Sequence, residues 1–211
     1  MASIFRETQE QLKEIIIRDI KQLKELPRDI VTTPDFRVVI QGHFNEFKTT
    51  ALHEACFRGF TPNVKILVEH GAPLDARPLH RAVGENKFEA AAILLRAGAD
   101  PNSGDGDLMT ALHLACDKGF EELARLLVEH KADVSATPLH YAANSGSEYI
   151  CRLLVSAGAT VNIADRVGWS PLHAAASNGK VAVVNFLIDR EADLNPQAQR
   201  CGHTHHQRRR P

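Results

Sequence analysis

The motif Leu-His-x-Ala occurs five times in this chain and constrains its fold more than any other feature. Its histidines are His53, His80, His113, His140 and His173. They follow one another at intervals of 27, 33, 27 and 33 residues. A unit of this length is too small to bury its apolar face alone, so such units stack and share one core. The motif therefore predicts a solenoid of five stacked units.

The fifth unit shows most fully how one repeat is built. Ser170 and Pro171 predict the start of a first helix, because serine caps helices and proline suits the first helical position. Gly179 predicts its end, since glycine adopts the left-handed conformation found after helices. A second helix follows, with apolar residues at the spacing of a buried stripe: Val181, Val184, Leu187 and Ile188. Each unit is thus expected to be a helix-turn-helix pair.

With a Thr-Pro-Leu-His-x-Ala type of motif and a 33-residue period, the chain resembles the ankyrin-repeat family. The resemblance implies an all-α solenoid of five helix-turn-helix units, joined by β-hairpins that we call fingers. It also implies that the motif histidine hydrogen-bonds the backbone between neighbouring turns. Equivalent histidines on stacked units lie roughly 10 Å apart, too far to share a metal ion. All five are therefore predicted to be structural.

Both 27-residue intervals lack the same six positions, which elsewhere belong to the finger. The loss falls between Ala76 and Arg77, and again between Ala136 and Thr137. Too few residues remain there for a projecting hairpin. Two junctions are therefore expected to be blunt, while the helical stack survives. Tandem duplication of a two-repeat block and removal of equivalent segments from a longer chain explain the alternation equally well.

Two of the second helices are followed by an unusual residue. Lys131 and Glu191 stand where the other repeats have Gly71, Gly98 and Gly158. A non-glycine residue forced to positive φ at such a position costs on the order of 1 kcal/mol.

The repeats divide the chain into four segments. Residues 1–27 are predicted to form an amphipathic helix, and residues 28–44 a linker. The repeat domain is predicted over residues 45–195, with units at 45–76, 77–103, 104–136, 137–163 and 164–195. A polar, basic tail follows over residues 196–211.

The N-terminal helix is expected to have one apolar face, formed by Phe5, Leu12, Ile15, Ile16, Ile20, Leu23 and Leu26. A solenoid needs its ends covered, so a cap over the first repeat is the favoured role. Dimerisation or partner docking is the alternative, which Ile17, lying off this face, slightly favours.

The tail allows three interpretations. Cys201 with three nearby histidines could ligate a metal, and the arginines at 208–210 could form a nuclear-import or anion-binding patch. The favoured interpretation is structural, because residues 199–204 match the finger of a sixth repeat whose motif does not follow. The outward apolar residues of the fifth repeat would then be covered by self-association or by a partner.

Composition narrows the function further. The formal net charge is −1, so there is no general basic field, and nucleic acid is not expected as a partner. No apolar run is long enough to span a bilayer and no signal peptide is recognisable, which predicts a cytoplasmic protein that can also be nuclear. Cys56 and Cys116 occupy equivalent positions of separate repeats, too far apart for a disulfide. Phosphate-loop, zinc-protease and hydrolase motifs are missing, so no enzyme, small-molecule substrate, cofactor or metal is expected.

Protein binding remains, and the resemblance places it on a concave surface made of fingers and first helices. The finger candidates are Phe47, Thr49, Asp107, Met109, Arg166, Val167 and Trp169. The first-helix candidates are Phe57, Arg58, Gly84, Glu85, Asp117, Lys118, Asn144, Ser145, Ser177 and Asn178. Interface energy concentrates in Trp, Tyr and Arg, so Trp169 with Arg166 is the leading anchor. Packing of Trp169 against Met109 of the neighbouring finger is the alternative.

Three functions are compatible with this surface. The first is a scaffold, adaptor or inhibitor that binds a protein partner. The segment Leu52-His53-Glu54-Ala55-Cys56 also resembles the ankyrin-and-SOCS-box family. That resemblance implies a substrate-receptor fragment of a cullin-RING ubiquitin ligase, here without its SOCS box. A nuclear-cofactor or nucleic-acid role would rest on the arginine tail alone.

Overall fold

The computed structural model describes residues 51–105, 109–135, 137–165 and 168–194. These residues form ten α-helices: α1 Ala51–Arg58, α2 Thr61–Glu69, α3 Ala76–Gly84, α4 Phe88–Arg96, α5 Ala111–Lys118, α6 Glu121–Glu129, α7 Pro138–Ser145, α8 Glu148–Ser156, α9 Pro171–Ser177 and α10 Val181–Asp189. The predicted N-terminal helix, linker and tail lie outside the described residues. The prediction of an all-α repeat fold is confirmed for the part that is described.

The helices form five pairs that stack in chain order. We call the first helix of each pair inner and the second outer. Each inner helix packs against the inner helix of the next pair, from α1 to α9, and the outer helices α2 to α10 pack in the same way. Contacts between α1 and α3, and between α5 and α7, span the two shortened intervals. The helical stack therefore survives the loss of two fingers, as the sequence predicted.

A single core runs along this stack. The motif leucines Leu52, Leu79, Leu112 and Leu139 are completely or almost completely buried, each beside small alanines that let neighbouring helices approach. In the last repeat Leu172 is only partly buried. Because each repeat contacts only its neighbours, the core is built from local layers that repeat along the chain.

The outer helix of the fifth repeat buries a face that matches the predicted stripe only in part, at Leu187 and partly at Val184. Val183, Phe186 and Leu187 of α10 are buried, whereas Val181 and Ile188 are 68% and 44% exposed. The segment is apolar almost all round, so several stripes fit its spacing equally, and packing against α8 and α9 selects one of them. The exposed pair belongs to the outward face for which self-association was expected, which stays a prediction.

Left-handed residues end the helices where expected. Gly119 follows α5 with φ 69°. Lys131 and Glu191 adopt φ 68° and 62° after α6 and α10, which confirms that non-glycine residues occupy the left-handed region there.

Candidate partner-binding surface

Two fingers lie within the part of the chain that the structure describes, and an aspartate closes each of them. In the finger before α5, Asp105 donates its backbone N–H to Met109 O at 3.0 Å and accepts the Met109 N–H on its carboxylate at 3.0 Å. An isolated antiparallel bridge joins Gly104 to Thr110 in the same finger. In the finger before α9, Asp165 makes the same two bonds to Trp169, at 2.9 and 2.8 Å. The fingers are therefore short turns held by one acidic side chain.

The motif histidine that precedes a finger bonds to the backbone of that finger. His80 Nε2 lies 2.6 Å from Met109 O, and His140 Nε2 lies 2.9 Å from Trp169 O. A carbonyl oxygen can only accept, so the ring nitrogen donates in both pairs. These bonds between neighbouring repeats are of the kind that the resemblance implied.

At the blunt junctions the histidines contact side chains instead. His113 Nε2 lies 3.1 Å from the hydroxyl of Thr137, and His53 Nε2 lies 3.8 Å from a carboxylate oxygen of Asp75. The finger carbonyl that His80 and His140 use has no counterpart at these junctions. For His113 the Thr137 hydroxyl takes its place, which the expectation of a uniform backbone bond did not foresee.

The two inner helices that follow a described finger begin in the same way. Thr110 and Ser170 precede α5 and α9 in extended conformation, and their backbone N–H groups donate to Nδ1 of His113 and His173 at 3.2 Å. At the blunt junction before α7, Thr137 has ψ 10°, which is not extended, whereas Asp75 before α3 is extended with ψ 177°. His140 Nδ1 is correspondingly buried with no hydrogen-bond partner.

Two grooves lie on the inner surface, the surface formed by fingers and inner helices. The N-terminal groove, of about 460 Å³, is lined by His53, Arg77, His80, Arg81, Gly84, Glu85, Asp105 and Leu114. The C-terminal groove, of about 320 Å³, is lined by Thr137, His140, Tyr141, Asn144, Asp165, Trp169 and Ala174. Six residues of the second groove lie 60 positions after a residue of the first. Each groove thus occupies the same place beside a blunt junction.

The C-terminal groove contains the most prominent exposed aromatic group of the inner surface. Trp169 is 44% exposed, and its indole stacks on the ring of His173 with the centroids 5.2 Å apart. Tyr141 lines the same groove and meets His113 edge-on at 5.5 Å. Trp169 therefore packs within its own repeat against His173, whereas the alternative named Met109 of the neighbouring finger.

The N-terminal groove is built on the same frame with charged side chains. Arg77 and Arg81 stand at the positions of Thr137 and Tyr141. The guanidinium of Arg81 lies 5.8 Å from the ring centroid of Phe57, which is 40% exposed. The two grooves therefore share their geometry and differ in their chemistry.

The structure gathers only some of the predicted residues. Trp169 and Asn144 line one groove, and Asn178 joins them by donating to Asn144 Oδ1 at 2.8 Å. Gly84 and Glu85 line the other. The hydroxyls of Ser145 and Ser177 donate to carbonyls of their own helices, Arg58 pairs with Glu54, and Asp117 and Lys118 are exposed at the end of α5. Phe47, Thr49, Asp107, Arg166 and Val167 lie outside the described residues.

Sequence reasoning missed the variable residue of the motif itself. The x of Leu-His-x-Ala is Arg81, Leu114, Tyr141 and Ala174 in the last four repeats, and all four line a groove. The signal was present, because this position changes from repeat to repeat while its neighbours do not. Predictions that focused on the end of each inner helix passed over it.

The cysteines that the structure describes are not arranged as reactive thiols or metal ligands. Cys56, Cys116 and Cys151 are free and buried. Burial raises the pKa of the Cys56 and Cys151 thiols to about 12 and that of Cys116 as well, so the thiolate form is disfavoured. Within the described ranges, no group of three or more His, Cys, Asp or Glu side chains could hold a metal ion. The metal site suggested for the tail lies outside these ranges.

Known protein families can be compared with these paired helices, fingers and histidine bonds. The family described as "Ankyrin repeats (3 copies)" matches residues 32–105, 79–165 and 135–198. The chain belongs to the ankyrin-repeat family. Ankyrin repeats usually serve as non-catalytic binding modules for other proteins. Among the described residues, no ankyrin helix is long and apolar enough to cross a membrane.

Individual relatives share this ankyrin region over less than half of the chain. BCL-6 corepressor-like protein 1 of Homo sapiens is 40% identical over 99 residues, which are 44% of this chain and 5% of that protein. Ankyrin repeat and SOCS box protein 11 of Danio rerio is 40% identical over 88 residues, 39% of this chain and 30% of that protein. Protein phosphatase 1 regulatory subunit 27 of Homo sapiens is 42% identical over 77 residues, 36% of this chain and 49% of that protein. The chain thus matches under half the length of each.

Proposed function

We propose that this chain is a non-catalytic protein-binding module, a scaffold, adaptor or inhibitor, whose partner docks in the C-terminal groove. The observation that carries the proposal is the exposure of Trp169 at the edge of that groove. Tryptophan is among the residues that most often dominate binding energy, and it does so where water can be excluded around it. The groove offers such a place, because Tyr141 and Asn144 surround it.

The composition and the family support this reading without naming the partner. The net charge of the chain is close to neutral. Ankyrin repeats, which usually bind other proteins, match most of the chain. We place the protein in the cytoplasm or nucleus, in keeping with its sequence.

The proposal is tested by comparing two exposed aromatic residues. Trp169→Ala should weaken binding to partners captured by the wild-type chain by about 2 kcal/mol or more, roughly thirtyfold in Kd. Tyr149→Ala is the matched control, because Tyr149 is 42% exposed on the outer helix α8, away from the grooves. It should leave affinity unchanged. The measurement is quantitative pull-down followed by titration of each partner; loss of binding in Tyr149→Ala alone would reject the inner surface as the docking site.

A role as a ubiquitin-ligase substrate receptor is a second proposal, supported by the likeness to Ankyrin repeat and SOCS box protein 11. Relatives with other names match at equal or higher identity, so the likeness does not favour it over the first proposal. Cullin and elongin subunits among the captured proteins would support it.

A further inference from the structure

The two grooves are lined at equivalent positions but carry different charges. This difference in charge indicates which side chain the C-terminal groove accepts. The N-terminal groove carries Arg77 and Arg81. At the equivalent positions the C-terminal groove has Thr137 and Tyr141, and its described lining includes neither lysine nor arginine. We propose that the C-terminal groove binds an arginine side chain of the partner protein. The inference rests on the proposed function and adds the chemistry of the contact.

The aromatic side chains supply the first part of the recognition. One face of the Trp169 indole is stacked on His173, so its other face and its edge are what it can present in the groove. A guanidinium placed over an aromatic face is attracted by the negative potential of the ring. The chain uses this contact internally, since Arg152 lies 4.7 Å and Arg190 lies 5.3 Å from the ring centroid of Phe186.

The polar side chains supply the second part. The groove holds the carboxylate of Asp165, the amide of Asn144 and the hydroxyl of Thr137, and among its described lining residues Ala174 is the aliphatic one. An aliphatic side chain would desolvate these groups without bonding to them, which is costly. A guanidinium has five N–H donors in one plane and can bond to such acceptors while it stacks. Charge and geometry therefore favour arginine over an apolar residue.

The N-terminal groove provides an internal contrast. It contains Glu85 and Asp105, but Arg77 and Arg81 add two positive charges in the same small space. A further arginine, entering from the partner, would meet these two like charges, which weakens binding. The arginine-binding property is thus assigned to one groove and not to its equivalent.

The experiment selects ligands without assuming a partner. A library of random peptides displayed on phage is selected on the full wild-type chain, and bound peptides are sequenced. The expected result is arginine at one fixed position. A selected peptide is then synthesised with that arginine or with citrulline, its neutral isostere, and each Kd is measured by fluorescence anisotropy of a label on the peptide. Citrulline should weaken binding about threefold to thirtyfold.

Three variants locate the effect. Tyr141→Arg copies the residue of the N-terminal groove and should remove most binding and the preference for arginine over citrulline. Tyr141→Phe is the matched control that keeps the ring and should keep the preference. Asp165→Asn retains an acceptor for the Trp169 N–H but loses the charge, so the preference should shrink. If Tyr141→Arg proves misfolded by circular dichroism, Thr137→Arg makes the same test at the other exchanged position.

The outcomes separate the inference from the function on which it rests. Peptides that need Trp169 but carry no fixed basic residue, or that bind equally well with citrulline, would overturn the inference and leave the proposed function standing. Acidic peptides that lose affinity in Arg166→Ala would overturn it in the same way, since they would identify an anionic ligand. Peptides that bind equally to wild type and Trp169→Ala would overturn both.

Discussion

At the scale of single residues, the motif histidine His113 connects two repeats. His113 accepts the Thr110 N–H on Nδ1, at the start of its own helix, and contacts the Thr137 hydroxyl of the next repeat through Nε2. This arrangement requires a neutral ring, because protonated Nδ1 could not accept. Burial lowers the pKa of His113 from its ordinary value, although Asp133 and Asp105 act in the opposite direction.

The lowered pKa of His113 predicts a pH-dependent stability. Above about pH 6.5 the His113 ring is neutral in both the folded and the unfolded chain. As the pH falls below this value, the unfolded chain binds the proton more readily than the folded chain does. The free energy of unfolding should therefore fall on acidification, by at most about 1.4 kcal/mol per pH unit from this group. His113→Gln keeps the side-chain acceptor of a capping box and should show a smaller fall. Urea unfolding at pH 7.5 and 5.5 measures the difference; equal falls in both proteins would show that His113 is not responsible.

The left-handed residues Lys131 and Glu191 make a second prediction at this scale. Replacing either by glycine removes the crowding of Cβ at positive φ but adds freedom to the unfolded chain, so stability should rise by about 0.5 to 1 kcal/mol. Asn86, at φ 54°, is the control, because asparagine tolerates this region and Asn86→Gly should change little. Thermal unfolding of the three variants checks this, and an equal response at all three positions would contradict it.

At the scale of elements, the base of each finger is tied to the loop one repeat further on. Asn102 accepts the Asp133 N–H at 2.7 Å and donates to Lys131 O at 3.2 Å. Asn162 makes the same pair of bonds to the loop after α10, at 2.7 Å to Asp193 N and 3.2 Å to Glu191 O. One amide thus connects a finger across the following helix pair at both equivalent places.

Removing this amide should loosen the loop to which it is bonded. Asn102→Ala loses two hydrogen bonds to backbone and should cost about 1 to 2 kcal/mol, with faster hydrogen exchange in residues 131–135. Asn185→Ala, a change of an exposed asparagine on α10, is the control and should leave that loop unchanged. If Asn102→Ala leaves hydrogen exchange in residues 131–135 unchanged, helix packing alone positions this loop.

The sequence predicts the elements that depend on residues near in the chain better than the contacts that depend on how repeats stack. The helix pairs, the blunt junctions and the left-handed Lys131 and Glu191 follow from spacing and from single-residue preferences, and the structure confirms them. The new partner of His113 could not be predicted, because it depends on where a shortened loop places the next side chain. The groove itself was missed in part for the same reason, since Tyr141 and Asp165 come together only through stacking.

At the scale of the whole molecule, the loss of two fingers divides the inner surface into two equivalent halves. Among the described residues each half has one blunt junction, one finger and one groove between them, and six equivalent positions line both grooves. Because a solenoid transmits little between distant repeats, each half can vary its side chains without disturbing the other. At two equivalent positions the C-terminal half has Trp169 and Tyr141, and the N-terminal half has Met109 and Arg81.

The most direct test of binding on the inner surface is hydrogen exchange of the chain, free and saturated with a peptide selected on it. Slower exchange is expected in residues 137–145 and 168–178, which contain the groove and its finger. Exchange in the outer helices at 121–129 and 148–156 should be unchanged, because they lie on the other side of the stack. Protection confined to these outer helices or to α10, with residues 137–145 and 168–178 unaffected, would contradict docking in the C-terminal groove.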